Sequence, residues 1–347
     1  MRQLIATNAL PGRCCQLEAM EDFYPIRIAV AGVGQFGECH ARTLHALPET
    51  KLTALLDRDP VRAERVAGDL GGVPVFQNMS QLAASGSADA VVIASRRETH
   101  AGLAREALAA GLHVLIEKPV GSSLAEVESL AALSETCGRV VMAGHICLFH
   151  SRVCAMLERV RRTGFRAAHF VRHRPARLSE KFAPEHPVSS TMVHDLYVLA
   201  QLAGNEEPIL IEGFEGRGSH GRTDLSWATL QWNDGRLATL HAHLVLPDGA
   251  AEDGWDWMEV FGDGGYARAA TSPQEFFWAS DKAEWPLGLE IGTVHGRPVG
   301  MLAEELRAFA AACAGGTVPP GCRMQDAAQV QRWSELIMQS ATQKTPC

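Results

Sequence analysis

Three groups of residues in this chain have the types and spacing to do chemistry together. The first is Gly32-Val33-Gly34-Gln35-Phe36-Gly37, placed directly after an apolar run and at the start of a helical pattern. A bound pyrophosphate needs backbone N–H groups aimed at it, an approach that a Cβ would block, and the positive end of a helix. Asp57 follows Gly37 by 20 residues, at the end of the next strand pattern, where its carboxylate could take both hydroxyls of an adenosine ribose. A lone GxGxxG is weak evidence, but the strand–turn–helix–strand–acid context makes a dinucleotide the reading. Asp57 would repel a 2′-phosphate, which favours NAD. Arg58 beside it offsets part of that repulsion and leaves NADP open.

The second group is Glu117-Lys118-Pro119, just past the strand-like His113 to Ile116. Ligands of open α/β sheets bind beyond the carboxyl ends of the strands, where this lysine falls. An ordinary solvated lysine is the competing reading. The X-Pro step fixes a turn and allows a cis bond. The third group is Ser190, His194 and Tyr197, spaced i, i+4 and i+7 on one face of an expected helix. Oxidising a hydroxyl requires a group to take its proton as hydride leaves, and imidazole has a suitable pKa. A helical histidine is more often structural. His241-Ala242-His243 would put two imidazoles on one face of a strand, but no third ligand can be nominated, so no metal site is expected. Trp227, Trp232 and Trp255 suggest that this sheet surface packs against something.

The surrounding pattern supplies elements to hold these groups. Short apolar strands (Ile26 to Ala31, Lys51 to Leu56, Ala90 to Ala94, His113 to Ile116, Val140 to Ala143) alternate with helical stretches (Glu38 to Leu47, Pro60 to Leu70, Thr99 to Ala110, Leu124 to Cys137). Such alternation implies a parallel sheet covered on both faces, ending near residue 147. A helix over Arg152 to Arg162 and a strand near Arg166 to Arg172 then lead through a Pro- and Arg-rich loop to the His194 helix. Period-two stretches follow at Ile209 to Phe214, Leu225 to Trp232, Leu237 to Val245 and Trp257 to Phe261, with turns at Asn233-Asp234-Gly235 and Asp263-Gly264-Gly265. Helices over Leu302 to Ala314 and Met324 to Ser340 close the chain. The fold class is therefore α/β: a dinucleotide-binding domain over 25–147, then an α/β domain over 148–347 with a large, open, mainly antiparallel sheet.

Composition narrows the function classes. The 347 residues suit two domains, and a net charge of -8 argues against a nucleic-acid footprint. No apolar run approaches a membrane span. The 9 cysteines are scattered without a Cys-x-x-Cys pair, so reduced thiols in the cytoplasm are expected rather than zinc or disulfides. Residues 1–24 read as a disordered N-terminal extension with no signal-peptide core, and Met20 is an alternative start.

Taken together, Ala31 to Gly37, the ETH of Glu98 to His100 after AVVIAS, AGLHVLIEKPVG at Ala110 to Gly121, VHDLYVLAQLAG at Val193 to Gly204 and the late helix from Glu304 resemble the Gfo/Idh/MocA oxidoreductase family. The resemblance covers nearly all of Ile26 to Ser340. It implies a Rossmann domain and a substrate domain whose open sheet mediates a homodimer or homotetramer. It makes Lys118 the lysine that bonds the reacting oxygen and His194 the general acid/base; Tyr197, where the family pattern is not kept, is a candidate further catalytic donor from its position one turn along. Cofactor contacts are expected from Gly32, Gly34, Gln35, Phe36, Gly37, Asp57, Arg58, Ser95, Arg96, His100, Glu117 and Lys118. Substrate contacts are expected from Lys118, His145, Arg174, Ser190 and His194. The implied activity is hydride transfer between NAD(P) and a hydroxyl-bearing carbon of a sugar, sugar derivative or cyclitol. The alternatives are reduction of a C=N or conjugated substrate, and a non-catalytic dinucleotide sensor, against which retention of Lys118 and His194 counts.

Two departures bear on the chemistry. Relatives often carry Asp where Ser190 and Tyr197 stand, so the carboxylates that would raise the histidine pKa and orient its ring are gone. Asp195 lies about 100° round the helix and is a poor substitute. Tyr197 either donates to substrate or packs. Arg96-Arg97 replaces the usual Pro-Asn, and Arg172, Arg174 and Arg177 approach the same region from the loop. They would suit an anionic sugar, although gripping the cofactor or forming ion pairs is the favoured reading.

Overall fold

The computed structural model describes residues 25–178, 185–204, 206–218, 221–251, 254–272, 278–279, 283–284 and 291–344. The expected N-terminal extension lies outside the described residues. Near-continuous Val, Ile, Leu and Ala runs form strands β1 (Ile26–Ala31), β2 (Thr50–Leu56), β3 (Val75–Phe76), β4 (Ala90–Ile93), β5 (His113–Glu117) and β6 (Val141–Gly144). They pair in parallel in the order β3-β2-β1-β4-β5-β6. Such strands are apolar on both sides because helices cover both faces. Those helices are α1 (Gln35–Ala46), α2 (Pro60–Asp69), α3 (Met79–Ser85), α4 (Arg97–Ala109) and α5 (Leu124–Thr136). The strand order reverses between β1 and β4, which opens a crevice beyond their carboxyl ends.

Capping separates the helices by role. Asp59, Asn78 and Ser123 each accept a backbone N–H of the helix they precede. Gly34 and Arg96, ahead of α1 and α4, provide no side-chain cap. These two helices start at the crevice, so their free N–H donors and positive ends remain available to a ligand. Helix α1 begins at Gln35, three residues before the expected Glu38. The short β3 and α3 have too little periodicity to stand out in sequence.

The second sheet follows a 3-10 turn (Ile146–Phe149) and α6 (Ser151–Thr163). It contains β7 (Ala167–Pro175), β8 (Leu210–Arg217), β9 (Thr223–Gln231), β10 (Leu237–Leu246), β11 (Trp255–Gly262) and β12 (Gly265–Ser272), in the order β12-β11-β7-β10-β9-β8. Its pairings are antiparallel except for β7 with β10. Alternation is clean: Ala238, Leu240, Ala242 and Leu244 are buried, while Leu237, Thr239, His241, His243 and Val245 face the other way. Helices α7 (Val193–Ala203), α8 (Met301–Cys313) and α9 (Met324–Lys344) complete the architecture. Helix α9 runs so close to β8 that a Cβ on Gly213 would lie 2.0 Å from the Ile337 carbonyl oxygen. Trp232 and Trp333 meet edge to face beneath the sheet, so Trp232 belongs to the core while Trp227 and Trp255 lie on the open face.

The end of the chain also braces the first sheet. The Ala143 N–H at the edge strand β6 donates to the Cys322 carbonyl (2.8 Å), and Glu335 accepts the Leu124 N–H at the start of α5 (2.7 Å). The turn that leaves β6, which carries His145 and Cys147, is thus held from two directions. No described helix is long and apolar enough to cross a membrane.

Candidate active site

The crevice is a cleft of about 1020 Å³ lined by Gly32, Gly34, Asp57, Arg58, Ser95, Arg96 and Thr99 among others. Each glycine of the turn has its own reason. Gly32 has φ +91°, and a Cβ there would lie 2.6 Å from Ser95 Cα. A Cβ on Gly37 would lie 1.8 Å from the Gly32 carbonyl oxygen, so this residue lets helix and turn close on each other. Gly34 is different: its Cβ would meet no protein atom within 4 Å. The space in front of Gly34 belongs to whatever enters the cleft, as a pyrophosphate seat requires. Phe36 turns its ring edge-on to His40, and Gln35 is exposed; both lie in the uncapped first turn of α1, where a ligand can take backbone donors.

Asp57 ends β2 and accepts from Val33 N–H (2.8 Å) and Asp59 N–H (2.9 Å). It therefore pins the glycine turn to the second strand while it lines the cleft. Arg62 approaches it at only 4.0 Å and is bonded to Asp59, and Arg58 is exposed at the rim. Ser95 and Thr99 share a hydroxyl hydrogen bond (2.7 Å), and Arg96 lies exposed at the mouth. Arg97 is turned toward Glu98 (3.7 Å).

His100 and Glu117 work from behind the cleft rather than in it. His100 is buried, with one ring nitrogen 2.8 Å from the Pro119 carbonyl and the other 3.0 Å from that of Ser95. It ties the loop after β4 to the Lys118-Pro119 step, which is cis. Glu117 is buried against His40 (2.7 Å), and Glu305 of α8 completes a cluster whose ligating atoms lie within 4.8 Å of one another. His40 and Glu305 carry no local sequence signal, because α1, β5 and α8 meet only in the fold. Burial, and next the charge of Glu117, push the Glu305 carboxyl well above its ordinary range.

Lys118 leaves β5 toward the second sheet, and its Nζ lies 3.5 Å from the Ser190 carbonyl oxygen. Burial lowers its pKa, and Glu117 opposes that shift. Ser190 does not sit in a regular α-helix as its spacing suggested. It lies in a π-helical turn (Val188–Met192) ahead of α7, and its hydroxyl donates back to the His186 carbonyl (3.1 Å). The wider turn breaks the assumed 3.6-residue period and presents a carbonyl, not a hydroxyl, to Lys118.

His194 is partly exposed, and burial, Lys118 and Arg172 hold its pKa well below the ordinary histidine value. Burial is the larger cause, and the charged groups that follow it, Lys118 and Arg172, are cationic. Tyr197 is buried and stacked on His145, with ring centroids 3.6 Å apart. Tyr197 thus packs on His145, which is itself fully buried beside Lys118 and His194.

The arginines also resolve. Arg172 and Arg174 lie on β7, not on the following loop, because that strand runs on to Pro175. Arg172 is buried between Asp195 (2.9 Å) and Asp256 (2.8 Å). Arg174 shares Asp256 (2.7 Å), and Arg177 is bonded to the Asp248 segment. Arg172 and Arg174 form ion pairs, and the Arg177 guanidinium donates to the Asp248 and Ala250 carbonyls, so none of the three stands as an open anion clamp. Asp195 points away from His194, as its helix position required, and its partner is Arg172. On the open sheet face, His241 and His243 are joined by His169 and His173 from β7 in ring contacts 4.9 Å apart. These two came from a strand far away in sequence and could not be nominated earlier. Among the described residues the three-ligand cluster is the one at His40, not this patch.

Comparison with known proteins agrees with the geometry. Residues 26–145 match a family model described as an oxidoreductase family with an NAD-binding Rossmann fold. The chain is 29% identical over 243 residues to the UDP-N-acetylglucosamine 3-dehydrogenase of Acidithiobacillus ferrooxidans, covering 68% of this chain and 72% of that one. It is 30% identical over 233 residues to inositol 2-dehydrogenase 2 of Paenarthrobacter aurescens, covering 63% and 69%. The solved structure of GenD2 from gentamicin A biosynthesis, in complex with NAD, superposes with a TM-score of 0.80 at 19% identity over 94% of this chain and 97% of that one. The chain belongs to the Gfo/Idh/MocA family of oxidoreductases and carries that family's NAD-binding Rossmann fold.

Proposed function

We propose that this protein catalyses reversible hydride transfer between NAD and a hydroxyl-bearing carbon of a sugar or cyclitol. The observation that carries the reading is the convergence of Lys118 and His194. The lysine Nζ reaches the Ser190 carbonyl, one turn before His194, and the two side chains are close enough for Lys118 to depress the histidine pKa. A cationic donor and a neutral base beside one opening can hold an alcohol oxygen and remove its proton. When bound, NAD supplies the hydride acceptor. The open seat at Gly34, the uncapped α1 and Asp57 would hold its pyrophosphate and ribose. Lys118 would orient the hydroxyl and stabilise negative charge on its oxygen. His194 would accept the proton, and would return it in the reverse direction.

Relatives named for UDP-N-acetylglucosamine and for inositol support a polyhydroxylated substrate. Arg172, Arg174 and Arg177 are committed to protein partners, which favours a neutral over an anionic sugar. We also infer a homo-oligomer formed through the open face of the second sheet, where Phe214, Val245, Trp255, Phe261 and Tyr266 are exposed together. The free thiols of the described cysteines fit a reducing cytoplasm. The test is a polyol and sugar panel with NAD, followed at 340 nm. Reduction with at least one member that is lost in Lys118→Ala supports the reading, and a silent panel in a protein that binds NAD refutes it.

A further inference from the structure

The partner of the His194 ring is a thiol. Cys147, in the 3-10 turn after β6, is 6% exposed and places Sγ 3.5 Å from His194 Nδ1. The same sulfur lies 3.7 Å from Arg172 Nη2. Arg172 is itself immobilised by Asp195 on α7 and Asp256 on β11. Sequence positions 147, 172, 194, 195 and 256 thus meet in one row: two carboxylates, a guanidinium, a sulfur and an imidazole.

This pair admits two directions, the thiol S–H donating to Nδ1 or Nδ1–H donating to the sulfur, and the Arg172 contact bears on the choice. A guanidinium N–H can only donate, so Arg172 occupies the sulfur as an acceptor. Burial pushes the thiol up, so Cys147 remains neutral beside Arg172. A sulfur already accepting from Arg172 can accept a second N–H from His194 Nδ1. With the proton on Nδ1, the basic lone pair of the neutral ring is on Nε2. The other ionisable groups near His194 do not take this place. Lys118, Arg174 and His145 contribute positive or neutral surroundings, Asp256 is paired with both arginines, Asp195 bonds Arg172 through Oδ1 alone, Glu117 is turned to His40, and Glu185 acts on Lys118.

We propose that Cys147 is a positioning residue for proton transfer, whose sulfur takes the Nδ1 proton of His194 and leaves Nε2 as the base. The inference rests on the dehydrogenase reading for its consequence but not for its geometry. A carboxylate at this place would fix the same tautomer and also raise the histidine pKa. Sulfur fixes the tautomer without adding charge. The ring therefore stays unprotonated to lower pH than a carboxylate-paired histidine, which suits a chain that has Ser190 and Tyr197 where relatives carry Asp. A buried ion cluster, rather than a single carboxylate, then fixes the ring through the sulfur.

The test is nitrogen-15 NMR of histidine-labelled protein, with His194→Gln to assign the ring. Wild type should show the Nδ1–H tautomer and a titration below the ordinary histidine range. Cys147→Ala should lose the tautomer preference, Cys147→Ser should restore it in part, and Cys147→Asp should move the titration upward by about one unit or more. With an active substrate, Cys147→Ala should lower kcat roughly tenfold with KM little changed, while Cys147→Asp moves the acid limb of the pH profile to higher pH. Unchanged NAD binding shows that each variant is folded. An Nε2–H tautomer in wild type, or a ring signal indifferent to all three substitutions, overturns the proposal. Because the tautomer is read without substrate, it stands or falls separately from the polyol panel.

Discussion

The cofactor cleft and the Lys118–His194 cluster are built on opposite principles. The cleft is made of backbone: a glycine turn, two uncapped helix ends and one carboxylate that ties the turn to β2. The pocket is made of side chains from β5, the turn after β6, β7, α7 and β11, joined by a buried ion cluster. Backbone sites ask for small residues at fixed local spacing. Side-chain sites ask for long-range convergence and place no local demand on any one strand. The cleft should therefore fail through steric changes, and the pocket through changes of charge and proton position.

The sharpest division is between chemistry and binding. Lys118→Ala or His194→Asn should lower kcat by about 10²- to 10⁴-fold, yet leave NAD affinity unchanged in a fluorescence titration. Parallel loss of NAD binding would show that cleft and pocket are not separable. Next comes Arg172→Met, which leaves Asp195 buried without its cation while Asp256 keeps Arg174. A loss of about 3–5 kcal/mol of folding stability is expected, read from denaturant unfolding. A loss below about 1 kcal/mol would mean the cluster carries little weight. Gly34→Ala tests the cleft from the other side. Its added methyl meets no protein atom, so melting should hardly change while NAD binding weakens about tenfold or more. Unchanged affinity would mean that the ligand does not approach there.

The smallest effect concerns pH and separates the two sheets. Burial, and then neighbouring histidines, lower His241 and His243 from 6.5 to about 4. The folded state then binds fewer protons than the unfolded chain within that interval. Stability should be complete above pH 6.5 and fall as pH drops toward about 4. The melting temperature of wild type should decline through this window, and His241→Gln with His243→Gln should flatten the decline. The screened, half-exposed rings make this a modest slope. A decline of the same steepness in the double variant would place its origin in other groups.

Legibility in the sequence follows the same division. The glycine turn, Asp57 and Lys118 could be read because each belongs to a strand–turn–helix pattern with fixed offsets. His194 could be read as a catalytic histidine, but its surroundings could not. Cys147 looked like one scattered thiol, and Arg172 like a loop residue, because β7 extends past the point where its alternation fades. The π-helical turn at Val188–Met192 invalidated the helical spacing that paired Ser190 with His194. Tyr197 offered two roles, and its stacking on the His145 ring could not be foreseen from its position in the helix. The four-histidine patch needed the parallel register of β7 with β10, which no single strand encodes.

The most direct test of the central claim uses a polyol from the active panel, deuterated at the carbon bearing the oxidised hydroxyl. After turnover with unlabelled NAD, mass spectrometry of the reduced cofactor should show the added mass of one deuterium, with product and reduced cofactor in equal amounts. Product formed while the cofactor carries no deuterium would contradict direct hydride transfer at the Lys118–His194 mouth.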